Sequence, residues 1–320
     1  MRYRQLDVAV DGGLLHAGVW GDDDAPTVLA VHGITATHRA WGWLAGVLPG
    51  VRVVAPDLRG RGRSNHLPGP FGMARHADDL AALVDHLGAG PVVLVGHSMG
   101  GFASVVLAYR RPELVTSLVL VDGGLPLEVP AGADPDTLMR AVLGPAAARL
   151  AMTFQDERAY HDFWRAHPAF AGAFDGPSVP DRLDAAGATD AADGAGARAS
   201  ADDLRRYFDY DLEPADGGGL RPTSRLEAVT GDQRELVTGA SLLPALDALT
   251  APALFLRAPR GLLDGDPLYD AGHVERWAAR LPSLRTAEVP GVNHYTIIMG
   301  TAGAGAVAQH VSHQLEGARR

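Results

Sequence analysis

Gly96-His97-Ser98-Met99-Gly100 presents a serine in a setting that could make it a nucleophile. A serine hydroxyl attacks poorly at neutral pH unless a base takes its proton and a third group holds that base in the right tautomer. The matching chemistry is acyl transfer, in which the carbonyl carbon is attacked and backbone N–H groups hold the oxygen that becomes negative. Other chemistries are excluded by composition. Cys 0 removes thiol nucleophiles, iron–sulfur clusters and cysteine-ligated zinc, and all 28 basic residues are arginine. Without lysine there is no Schiff base, no pyridoxal-phosphate anchor and no Walker A loop.

The elements around Ser98 are those such a serine needs. Val92 to Val95 is an unbroken apolar run, the pattern of a strand buried on both faces of a parallel sheet. An apolar helix follows the glycine-flanked turn and stops before Pro112. Small neighbours let strand and helix approach closely, and the sharp turn pushes the hydroxyl clear of the sheet. The unpaired N–H groups of the new helix face the same spot.

The remaining chain supplies a sheet. Leu6 to Trp20 holds two alternating runs around Asp11-Gly12-Gly13, a hairpin at a sheet edge. Val28 to Val31 and Val51 to Ala55 are buried strands that run into His32-Gly33-Ile34-Thr35 and into Pro56 to Ser64. Met73 to Leu87 carries Leu80, Leu83, Val84 and Leu87 at helical spacing, with Gly88 placed to end the helix. Ser117 to Val121 is a strand ending at Asp122-Gly123-Gly124. From about Leu125 to Thr250 no buried strand is evident; helix-like segments rich in alanine and aromatics read as an inserted cap. Within it, residues 184 to 200 are so poor in apolar bulk that a mobile loop is expected. Strand patterns return at Ala253 to Arg257 and Leu284 to Val289, before a closing helix from about Ala302 to Leu315.

The 320 residues, 47% hydrophobic with formal charge -10, suit one large core with an insertion. That charge argues against binding a nucleic acid backbone and for a small, neutral substrate. No apolar run approaches the roughly 20 residues of a membrane span, and Met1 to Arg4 leads into a strand rather than a signal-peptide core. A cytoplasmic protein, monomer or homodimer, is expected.

With these motifs in place, the chain resembles the α/β-hydrolase superfamily. The likeness rests on His32-Gly33 after a strand, Asp57-Leu58-Arg59-Gly60-Arg61-Gly62-Arg63-Ser64, the Gly96 to Gly100 elbow, and Asn293-His294 after the last strand. It implies an α/β fold: a doubly wound, mostly parallel eight-stranded sheet. Residues 1–124 and 251–320 would form the core and 125–250 a helical cap. The order Ser, acid, His of this fold makes His294 the implied base. The acid is left open. Most relatives carry it after the seventh strand, where Gly261 aligns with the usual position, Asp264 could serve only if the loop curls back, and Asp266 is a further candidate. A variant of the fold places it after the sixth strand, which favours Asp122, although a turn-stabilising carboxylate is a competing role there.

For the oxyanion, the fold implies the backbone N–H groups of Ile34 and Met99. His97 is expected to be structural, and the arginines of the Asp57 to Ser64 turn to order that turn. Phe154, Tyr160, Phe163, Trp164, Phe170, Tyr207, Phe208 and Tyr210, with Trp41 and Trp43, either glue the cap down or line a pocket; Trp41 and Trp164 are the named substrate-binding candidates. His310 and His313 share a helical spacing but lack an evident third ligand, so no metal is expected, nor any cofactor.

The implied activity is a serine hydrolase cleaving a small, largely apolar ester or lactone through an acyl-enzyme on Ser98. Serine rather than aspartate argues against epoxide hydrolases and haloalkane dehalogenases. Rivals are a carbon–carbon bond hydrolase or perhydrolase with the same triad, and a ligand receptor with little turnover. A dinucleotide-binding oxidoreductase is rejected because Gly96 to Gly101 lacks the required glycine spacing.

Overall fold

The structure is a computed structural model that describes residues 1–128, 142–171 and 195–318, together with the single residues 134, 137 and 173. Its frame is one eight-stranded sheet in the order β1-β2-β4-β3-β5-β6-β9-β10. These strands are β1 (Tyr3–Val10), β2 (Gly13–Trp20), β3 (Thr27–Val31), β4 (Arg52–Pro56), β5 (Val92–His97), β6 (Val115–Val121), β9 (Ala253–Arg257) and β10 (Leu284–Glu288). β1 pairs antiparallel with β2, and β2 antiparallel with β4; every other neighbour is parallel.

The unbroken apolar runs follow from covering both faces. In β5, Val92 and Leu94 enter one apolar cluster while Val93 and Val95 enter the other. Leu118 and Leu120 of β6 likewise oppose Val119 and Val121. Because side chains alternate along a strand, a sheet packed on both sides needs apolar residues at every position. The helices Met73–Leu87 and Met99–Arg110 cover the first face. Gly88 ends the former in the left-handed conformation, φ 57°, as a glycine cap does. The other face takes Ala304, Val307 and Val311 of the closing helix Thr301–Ala318, along with Trp41 and Trp43.

Sheet order reverses beside β3: the chain goes from β3 outward to β4, then crosses back to β5 on the other side. Loops leaving the carboxyl ends of strands on either side of such a reversal part and leave a crevice. Residues 32–36 and Ser98 flank it.

The insertion lies between β6 and β9. Its described part holds the helices Pro145–Ala148, Glu157–Arg165, Ala195–Tyr210, Leu226–Thr238 and Leu242–Asp247. It also holds a hairpin absent from the sequence reading, β7 (Leu212–Pro214) with β8 (Leu220–Pro222). Two strands of three residues, each ending in proline, carry too little alternation to be seen in sequence. Of the loop expected at 184–200, residues 184–194 lie outside the described residues and 195–200 belong to the helix Ala195–Tyr210. Leu242, Ala245 and Leu246 pack in the cluster that contains the helix Met99–Arg110, so the last part of the expected cap segment belongs to the core layer.

Candidate active site

Ser98 joins β5 to the helix Met99–Arg110 with φ 52° and ψ -124°, a conformation that non-glycine residues rarely adopt. What holds it is the closeness of the backbone around it. A Cβ on Gly100 would stand 2.1 Å from the carbonyl oxygen of Val31, and one on Gly123 would stand 2.1 Å from the carbonyl oxygen of Ser98. The side chain of Ser98 is half-buried and opens onto a cavity.

His294 follows β10 and lines the same cavity. Its Nδ1 lies 2.7 Å from Oδ2 of Asp122, whose other oxygen accepts the N–H of Ala258 at 3.1 Å. The Asp122 side chain is fully buried at the end of β6, and its own N–H donates to Leu256 at 2.7 Å. An acceptor at Nδ1 keeps the proton there and leaves Nε2 of His294 as the basic nitrogen.

The other aspartates are engaged elsewhere or remote. Asp264 accepts from Arg260 Nη1 at 2.7 Å and from Asn293 Nδ2 at 2.8 Å. Asp266 is exposed to solvent. Geometry therefore pairs His294 with Asp122. Both Asp122 and Asp264 have positive φ, 46° and 63°, so backbone conformation does not distinguish them.

The loop after β3 stands close against Ser98: a Cβ on Gly33 would lie 3.2 Å from that of Ser98. Its peptide orientation is fixed through His32. Leu58 N–H donates to His32 Nε2 at 2.9 Å, so the ring proton sits on Nδ1, which donates to the Gly33 carbonyl at 2.7 Å. That carbonyl and the Ile34 N–H belong to one planar trans peptide and point in opposite directions. Anchoring the Gly33 oxygen therefore turns the Ile34 N–H the other way. Met99 N–H is free of intrahelical bonding as the first residue of its helix. Burial pushes His32 down to about 3, so it stays the neutral tautomer this arrangement needs.

His97 is buried and its Nε2 donates to the His294 carbonyl at 2.7 Å. Burial, then the neighbouring His294 ring, hold it well below its ordinary value, so it is neutral and steadies the loop that carries His294. A further cluster, His16, His38 and Asp57, has ligand atoms within 4.8 Å of one another, the spacing of a metal site. Its carboxylate is already saturated. Asp57 accepts from His38 N–H, His38 Nδ1 and Arg63 N–H, each at 2.8 Å, and from Tyr210 OH at 2.7 Å. Burial alone would raise Asp57, but these donors and His38 hold it below the usual carboxylate range. The group locks the turn after β4 and ties the insertion to it through Tyr210.

Two cavities share Ile34, Ser98, Leu143, Leu262 and His294 in their walls. One is narrow and adds the aromatic rings of Trp164, Phe170, Tyr207, Phe208 and Tyr295. The other, equally narrow, is mostly aliphatic, with Leu127, Val142, Leu236 and Leu268. Met99 lines the second. Trp41 lines neither: it is fully buried beneath the sheet, because the short helix His38–Trp41 turns it inward. That corrects its place among the substrate-binding candidates. Tyr295, next to His294, joins the wall although sequence pattern did not single it out.

A sequence model of the alpha/beta hydrolase fold matches residues 26–301. The chain belongs to the α/β-hydrolase family. Among curated relatives, this α/β hydrolase is 29% identical to 2-(acetamidomethylene)succinate hydrolase of Mesorhizobium japonicum over 287 residues, 89% of the chain and 87% of that protein. It is 43% identical to lipase LipV of Mycobacterium tuberculosis over 114 residues, 36% of the chain and only 43% of the lipase. A bifunctional esterase/perhydrolase of Acinetobacter calcoaceticus matches at 34% over 164 residues, 50% of the chain and 56% of that protein. The crystal structure of an E-2-(acetamidomethylene)succinate hydrolase superposes with TM-score 0.74 at 23% identity, covering 98% of this chain and all of that one, a likeness of fold. Among the described residues no helix is long and apolar enough to cross a membrane.

Proposed function

We propose that this α/β hydrolase is a serine hydrolase that cleaves a small, largely apolar carboxylic ester or lactone through an acyl-enzyme on Ser98. The observation that carries the reading is the buried His294–Asp122 pair at 2.7 Å on the cavity that also exposes Ser98. Ser98 Oγ bonds to the carbonyl carbon, its proton passes to Nε2 of His294, and the C=O electron pair moves onto oxygen. The N–H groups of Ile34 and Met99 hold that oxyanion. As the tetrahedral centre collapses, the C–O bond to the leaving group breaks and His294 returns the proton to it. Water, deprotonated by His294, repeats the attack and frees Ser98.

The apolar walls support a substrate with little charge near the reacting carbonyl. The same groups acting on a carbon–carbon bond, or with hydrogen peroxide, form a second reading; the relative named an esterase/perhydrolase favours the latter. Intact-protein mass after incubation with a fluorophosphonate tests the mechanism. Wild type should gain one adduct and Ser98→Ala none; an unlabelled wild type would favour a receptor. Rates on a panel of esters, lactones and ring-fission diketones then separate the bond types.

A further inference from the structure

Consecutive carbonyls of the loop after β3 each accept a hydrogen bond from a buried side chain. His32 Nδ1 holds the Gly33 oxygen at 2.7 Å, Arg61 Nε the Ile34 oxygen at 2.9 Å, and Arg149 Nη2 the Thr35 oxygen at 2.8 Å. Ala36 N–H closes the turn onto Gly33 at 3.2 Å. With its central carbonyls pinned, the turn cannot rotate the peptide that carries the Ile34 N–H.

The donors come from different parts of the molecule. His32 and Arg61 belong to the core, although Arg61 is itself paired at 2.6 Å with Asp232 of the insertion helix Leu226–Thr238. Arg149 belongs to the insertion. Its side chain is 1% exposed, lies 5.2 Å from the centre of the Trp164 ring, and pairs with the equally buried Asp211 at 3.0 Å. Asp211 in turn accepts from Tyr160 OH at 2.5 Å and Thr223 Oγ1 at 2.9 Å, both within the insertion. Arg149 is thus held on the cap side by a hydrogen-bonded carboxylate and reaches the loop with the same nitrogen.

Resting on the serine-hydrolase reading above, we propose that Arg149 is a positioning residue for the oxyanion hole, so that seating the insertion and aiming the Ile34 N–H are one event. Substrate enclosed under the cap then meets a completed oxyanion hole, whereas with the insertion lifted the loop loses one of its anchors. A buried arginine serving only as glue would make a different prediction. It would affect stability and substrate retention, but not the stabilisation of a developing oxyanion.

The test compares wild type with Arg149→Met/Asp211→Asn and Arg149→Lys. The double variant removes both charges, so no uncompensated ion is left buried. The lysine ammonium reaches one bond short of Nη2 and should restore part of the function. Three quantities are measured: kcat and KM for p-nitrophenyl butyrate, Ki for an aryl trifluoromethyl ketone, whose adduct with Ser98 carries an oxyanion, and the melting temperature. In the double variant kcat should fall about 10- to 100-fold with KM within about threefold. The ketone should weaken by the same factor as kcat/KM, with Arg149→Lys in between. A kcat close to wild type with unchanged ketone affinity overturns the proposal. So does a loss that falls wholly in KM or in melting temperature. Should the double variant not fold, Arg149→Lys alone decides: wild-type kcat and ketone affinity overturn the proposal, and parallel losses in both support it. A wild type that neither turns over the ester nor binds the ketone would mark failure of the serine reading itself, and takes this proposal with it.

Discussion

Asp122 and His294 stand 172 positions apart in the chain, yet their side chains meet at 2.7 Å with both buried. A carboxylate there fixes the ring's tautomer, which the proposed mechanism requires. Replacing it by an amide should cost turnover while leaving the shape intact. For Asp122→Asn a loss of about 10²- to 10⁴-fold in kcat is expected, whereas Asp264→Asn should stay near wild type. Steady-state kinetics on one activated ester checks both, and the reverse ranking would move the acid to the loop after β9.

Closeness of backbone at the elbow gives a second expectation. Gly100→Ala would put a methyl group 2.1 Å from the Val31 carbonyl oxygen, so strand and helix must part. The variant should lose fluorophosphonate labelling even where it folds. Labelling at the wild-type rate would show that the elbow has slack the geometry does not suggest.

The two tryptophans of the sequence reading should now separate. Trp41, fully buried beneath the sheet, should act on stability alone: Trp41→Ala is expected to cost about 3–5 kcal/mol. Trp164, on the cavity wall against Phe208, should act on selectivity. Trp164→Ala should change the ranking of esters that differ in leaving-group size more than it changes unfolding. Denaturant titration alongside a substrate panel reads both; a Trp41 variant with wild-type stability but altered selectivity would contradict the assignment.

Acid sensitivity follows from the buried imidazoles. His32, at about 3, and His97, well below its ordinary value, stay neutral in the fold, while in the unfolded chain both titrate near 6.5. As pH drops below about 6.5 the unfolded state takes up protons that the native state refuses. Stability therefore falls, by about 1.4 kcal/mol per pH unit for each such group. Asp232 adds a later loss. Burial would raise it, but His76 and Arg61 hold it at about 2, so its contribution is present above the ordinary carboxylate range and disappears as pH falls towards that value. Denaturant unfolding at pH 7.5 and 5.5 should show the histidine share, reduced in His97→Gln. Equal stability at the two pH values would refute it.

Much of this was legible because the sheet is covered on both faces: the apolar runs of β3, β5 and β6 have no polar alternation to mislead. Ser98 was readable for a related reason, since the tight elbow demands glycine on either side. The acid was not. Asp122 and Asp264 each end a strand region in a glycine-rich turn, and only the placement of the His294 ring chooses between them. Trp41 misled because nearness in sequence to the oxyanion loop says nothing of which way one helical turn faces. Arg149 left no trace, being a lone arginine in an alanine-rich stretch whose partners lie far along the chain. The β7–β8 hairpin is held by Arg221 against Glu213 at 2.9 Å rather than by apolar alternation.

The placement of the acid at the end of β6 also bears on the order of synthesis. By residue 122 a nascent chain has acquired Ser98 and Asp122, along with six of the eight strands of the main sheet. His294 is still 172 residues from the ribosome's active centre. It arrives only after the insertion and the edge strand β10, which pairs with β9 alone. On the proposed mechanism, a chain that stops short of residue 294 carries Ser98 and the strands β1 to β6 without a base, so hydrolysis has to await His294.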